Sequence, residues 1–168
     1  MAIGTASGVV KQIVRSLNQA GMEAKKDAVG GYEATVCRMS RFRLRWLLTP
    51  LHTFVFLLAF GPGEATVEEL NRFVSDATQY AGRHQRKMPL GIQSTTAAVV
   101  VAIAESGEAR DWARAKGRRY SVLSYPVFVD VAGDQVVVPK RIIIGAKYAS
   151  YFEGLVRDHI VPALAASR

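Results

Sequence analysis

The chain has 168 residues, 49% hydrophobic and 21% charged, with 22 Lys or Arg against 14 Asp or Glu. That length fits one domain spanning 1–168, whose core removes roughly 70% of the unfolded surface from water, and the composition excludes disordered, collagen-like and disulfide-rich classes. The net charge of +8 favours polyanionic partners: nucleic acid, anionic lipid or acidic protein.

Fifteen of the basic residues are arginine, which suits bidentate phosphate recognition, although the abundance of Ala, Val, Gly and Arg together also fits a codon bias. Cys37 is the one cysteine, so neither an intrachain disulfide nor a Cys-based zinc site can be closed. A reducing, cytoplasmic setting is the simplest expectation. The first 17 residues lack the charged and apolar regions of a secretory signal.

Val10, Ile13, Val14 and Leu17 recur at helical spacing after Thr5 or Ser7 as caps and before Gly21, predicting a helix over about 7–20. Residues 23–31 are polar, end in a glycine pair and read as a loop. Tyr32 to Cys37 has strand composition, and from Arg41 to Trp46 the arginines at 41, 43 and 45 alternate with Phe42, Leu44 and Trp46. Period two sends these sets to opposite faces of a strand.

Beside them lies an uncharged run, Trp46 to Gly63, at the lower length limit for a bilayer span and basic on its N-terminal flank. Pro50 and His52 interrupt it, leaving Phe54 to Phe60 purely apolar and too short to cross a bilayer. The reading is therefore a turn at 48–51 and a buried central strand at 52–60, with no integral membrane insertion.

Thr66 and Glu69 form a capping box ahead of the stripe Val67, Leu70, Phe73, Val74, Ala77 and Ala81, predicting a helix over 66–83. A basic connection at 83–96, a buried strand at 97–104 and a short helix at 108–116 follow. Strands at 120–131 and 135–144 flank Ala132-Gly133-Asp134 as a hairpin, with Pro126 and Pro139 marking an unpaired side or bulge. A last helical stripe, Tyr148 to Ile160, ends before Pro162. The expected architecture is a single α+β domain: a mixed but mostly antiparallel five-stranded sheet with helices packed on it, in which 52–104 is compatible with a parallel βαβ unit.

No motif names a reaction. Gly61-Pro62-Gly63 precedes a helix, but Glu64, Glu68 and Glu69 crowd that start, and neither GxxxxGK[ST] nor GxGxxG spacing is met. His52, His84 and His159 share no metal-ligand spacing, so no metal site and no cofactor are assigned. GxSxG and local Cys–His signatures are missing as well.

Glu33, Asp130, Asp134 and Lys140 supply the residue types of a metal nuclease, but Val138-Pro139-Lys140 lacks the acid that such a site requires, and no catalytic residue is assigned. Tyr148, Tyr151 and Phe152 follow core spacing better than a stacking pattern.

What remains is basic clustering, with Arg41, Arg43, Arg45, Arg83, Arg86, Lys87, Arg118 and Arg119 as candidate polyanion contacts. The functional expectation is a small basic binding or scaffold domain without evident catalysis, homodimeric, contacting nucleic acid or another acidic partner. Two alternatives stand beside it: a hydrolase or metal-dependent nuclease with a site bordered by the 83–96 loop and the 120–144 hairpin, and peripheral membrane association.

Overall fold

The computed structural model describes residues 5–41, 50–85, 95–105, 109–114, 122–140 and 146–167. Helix α1, Ala6–Gln19, is capped by Thr5, whose hydroxyl accepts from the Gly8 amide, and buries Val9, Ile13 and Leu17. Of the predicted stripe, Ile13 and Leu17 are buried and Val10 and Val14 only partly so; Ala6 and Val9 complete the packed face.

Six strands then form one mixed sheet in sequence order: β1 (Glu23–Val29), β2 (Tyr32–Arg41), β3 (Leu51–Ala59), β4 (Thr95–Ala104), β5 (Leu123–Asp130) and β6 (Gln135–Val137). The outer pairs β1–β2, β2–β3 and β5–β6 are antiparallel, while β3–β4 and β4–β5 are parallel. The parallel unit with which residues 52–104 are compatible is present, with α2 (Val67–His84) as its crossover.

The sheet has six strands where five were expected, because Glu23–Val29, read above as a loop, is a strand. It is the sheet edge, where a strand needs little hydrophobic alternation and lysines blunt pairing with other chains; Lys25 and Lys26 fill that role. The turn to β2 uses Gly30 at φ 60, and a Cβ there would collide with the Asp76 carboxylate. β6 stops at Val137 rather than 144, before Pro139, whose missing N–H ends a ladder. Pro126 sits in β5 opposite Val100, while β6 pairs only with Phe128–Asp130.

Alternation along the strands divides the core. Leu51, Val55 and Leu57 face α1 and the C-terminal helices, whereas Phe54 and Phe56 face α2 with Phe73, Tyr80 and Phe128. The part of the apolar run from Leu51 to Ala59 is therefore a central strand covered on both faces. No helix among the described residues is long and apolar enough to cross a membrane.

The last helical segment does not end before Pro162. It runs as α3 (Ala149–Leu155), a π turn (Val156–Ile160) and α4 (Val161–Ala166). In the π turn the Val161 amide reaches back to the Val156 carbonyl, widening the helix just where proline lacks its own N–H. The short helix expected at 108–116 is a 3-10 turn, Arg110–Arg114.

Candidate polyanion-binding end of the sheet

Strand register places several strand ends at one end of the sheet. Arg41, the last residue of β2, pairs with Leu51, the first of β3, and Leu51 pairs with Thr95, the first of β4. Leu123, which opens β5, pairs with Ala97 two residues further along β4. Helix α2 runs antiparallel to the strands it joins and returns to this same end at His84 and Gln85. The described residues bracketing 42–49 and 86–94, and the one following 115–121, therefore gather here. In sequence those segments hold Arg43 and Arg45, Arg86 and Lys87, and Lys116, Arg118 and Arg119, with no Asp or Glu.

Of the eight arginine and lysine positions singled out by sequence, Arg41 and Arg83 are described, and both stand at this end. Arg43, Arg45, Arg86, Lys87, Arg118 and Arg119 lie outside the described residues. The opposite end carries seven carboxylates, Glu33 opening β2, Glu64, Glu68 and Glu69 around the start of α2, Glu105 after β4, and Asp130 and Asp134 at the β5–β6 turn, whereas Glu23 and Asp158 stand at the end of Arg38 and Arg41. Two of these, Glu68 and Glu69, are bridged by Arg72 of the same helix. By contrast, the ion pairs among the described residues leave out Arg38, Arg41 and Arg83.

A cleft flanks the end of β2 on each face of the sheet, because successive residues point opposite ways. On the α2 face a cleft of about 250 Å³ is lined by Glu23, Arg38, Ser40, His52, Phe54 and His84. His52 is 8% exposed and belongs to its inner wall, whereas Arg38 and His84 are exposed. The His84 ring stacks on Tyr80 with centroids 3.9 Å apart, and its Nδ1 lies 2.8 Å from the Tyr80 carbonyl, one helical turn back. A carbonyl only accepts, so Nδ1 carries the proton and Nε2 is the nitrogen left for a ligand.

On the α1 face a cleft of about 190 Å³ is lined by Met39, Arg41, Tyr151, Arg157 and His159 among others. Here Arg41 Nε contacts Met39 Sδ at 2.7 Å, and Arg157 is held by Asp158 at 2.7 Å. Ser16 Oγ lies 2.8 Å from His159 Nδ1. Burial holds the His159 imidazole below its ordinary pKa, with Asp158 opposing that shift and Arg41 adding to it. The neutral ring is favoured, so Arg41 and the Asp158-paired Arg157 are the fixed positive charges on this side.

The enzyme alternative required Glu33, Asp130 and His52 to approach one another. Glu33 lies two residues beyond the Thr35–Leu57 pair and so is level with Ala59, whereas His52 is at the other end of β3, about 23 Å away at ordinary strand rise. Asp130 shares the Glu33 end but is separated from β2 by β3 and β4, about 14 Å of sheet. Its Oδ1 accepts the Gly133 amide at 2.8 Å, a turn role. Glu33 is exposed beside Lys26. Cys37 is buried, and burial pushes its thiol up to about 12, the wrong direction for a nucleophile. No group of three metal-ligating side chains occurs among the described residues.

Sequence spacing missed the convergence of His52 with His84 and of His159 with Ser16, because each pair is brought together by strand order and helix packing. Comparison of the chain with protein-family models, characterised proteins and solved structures finds no match.

Proposed function

We propose that this chain is a non-catalytic binding domain that engages nucleic acid through the end of the sheet where β2 finishes and β3, β4 and β5 begin. The observation that supports this reading is the shared end: described residues flanking three basic, acid-free segments lie beside Arg38, Arg41 and Arg83, where Glu23 and Asp158 are the cleft-lining carboxylates, while seven carboxylates stand at the other end. Such a polarised field draws a polyanion in one orientation.

Clefts on both faces of the sheet end suit a backbone passing around it better than they suit a flat lipid surface. Membrane docking takes an apolar wedge. Among the described residues the exposed large apolar side chains are Val67, at the start of α2 on the acidic end, and Val161 in the last helix.

The test is binding to random-sequence duplex DNA at 50 and 200 mM salt. Three to four phosphate contacts lower affinity about 40- to 150-fold over that interval, since log K falls with log salt at about 0.9 per contact. No binding at 50 mM salt removes the reading. Binding to anionic vesicles without binding to DNA or RNA replaces it with the membrane alternative.

A further inference from the structure

We infer that the cleft of Arg38, Ser40, His52 and His84 is a subsite for a phosphate monoester, the terminal phosphate of a nucleic acid strand. The inference rests on the proposed nucleic-acid reading and adds what part of the strand is held.

Size limits the ligand first. At about 250 Å³ the cleft is smaller than the roughly 300–1,000 Å³ of pockets that enclose a drug-sized ligand, so it accommodates one charged group better than a whole nucleotide. Donors set its chemistry. The Arg38 guanidinium is exposed at the cleft and paired with no described carboxylate, although Glu23 stands opposite it in the β1–β2 register. Ser40 is two residues further along the same strand face, adding a hydroxyl. Arg83, in the last turn of α2 beside His84, adds charge nearby and offsets the negative helix terminus.

The histidine selects a monoester over an internal diester. With Nδ1–H committed to the Tyr80 carbonyl, the neutral His84 ring presents only an acceptor at Nε2. A backbone phosphodiester also presents only acceptors and finds a partner there only when the ring is protonated. A monoester carries a second, weakly acidic proton with a pKa near 6. It meets the ring in either state: a monoanion donates its P–OH to neutral Nε2, and a dianion accepts from the protonated ring. Glu23 lines the same cleft and opposes added negative charge, so the monoanion that shares its proton with His84 is the form the cleft holds best.

The experiment compares a ten-residue single-stranded RNA bearing a 5′-phosphate, the same RNA with a 3′-phosphate, the unphosphorylated RNA, and inorganic phosphate, for wild type, R38A and H84A at 50 mM salt. The expected result is a tenfold or greater preference of wild type for one phosphorylated end, lost in H84A and R38A. Thermal melting of each variant separates loss of a ligand contact from loss of fold, and both side chains are exposed. Equal binding of all three RNAs by wild type overturns the subsite and leaves nucleic-acid binding standing. Binding of inorganic phosphate, sensitive to H84A, with no RNA bound supports the subsite for a small phosphomonoester and overturns the nucleic-acid reading.

Discussion

Tyr80 on α2 donates a 2.6 Å hydrogen bond to Oδ2 of Asp27 on edge strand β1. The same oxygen receives Lys25 Nζ at 2.6 Å. Since Tyr80 also stacks on His84 and accepts from it, this one tyrosine ties the cleft wall to the sheet edge. Lys25 first, then Tyr80, holds the Asp27 carboxyl down at about 2. A depressed carboxylate pKa contributes stability above its unfolded value, about 3.9, and loses it as pH falls through the folded value. Between about pH 4 and pH 2 the melting temperature of wild type should therefore fall more steeply than that of D27N. Parallel curves for the two proteins would remove Asp27 from the acid response.

Gly30 sits at φ 60 in the β1–β2 turn, with the Asp76 carboxylate where a Cβ would go. G30A meets both a left-handed backbone and a displaced side chain, and should cost about 1–2 kcal/mol, read by urea unfolding. The double variant G30A/D76A relieves the collision but not the backbone, so it should recover part of that loss. Full recovery would show that the backbone carries no strain.

The elements legible from sequence are those whose side chains repeat with a buried face. Ile13 and Leu17 in α1, and Leu70, Phe73 and Ala77 in α2, recur at helical spacing because one face of each helix meets the sheet. The apolar β3 and β4 read as strands because the sheet is covered on both sides. Glu23–Val29 gave no such signal, since an edge strand with Lys25, Lys26 and Asp27 in solvent buries only Val29 fully. The C-terminal helix outran its reading because a π turn absorbs the defect at Pro162 that ordinary helix geometry does not. The candidate site was legible as composition alone: arginine clusters are visible in sequence, but that Arg38, Arg41 and Arg83 stand at one end follows from the strand order and the return of α2 to it.

Cys37 lies fully buried between Val36 and Arg38 on β2, and burial pushes its thiol up to about 12. The thiolate is the reactive species, so native protein at pH 8 should resist alkylation by iodoacetamide and react only after unfolding. Mass spectrometry over a urea series should give a labelling midpoint that coincides with the unfolding midpoint. Rapid stoichiometric labelling without urea would mean that β2 opens locally.

Arg38 and Arg41 stand three residues apart on β2, about 10 Å, and point to opposite faces of the sheet. If the nucleic acid rounds the sheet end, each arginine touches a different phosphate, and R38A and R41A should each lower the salt slope of duplex binding by about one. Separated contacts add, so the double variant should lower it by about two. A polyanion confined to the α2 face gives another pattern: R38A lowers the slope and R41A leaves it unchanged. Because Arg41 is half-buried against Met39, a melting curve must accompany its slope. An unchanged slope in a folded R41A protein would restrict the binding surface to the cleft holding His52 and His84.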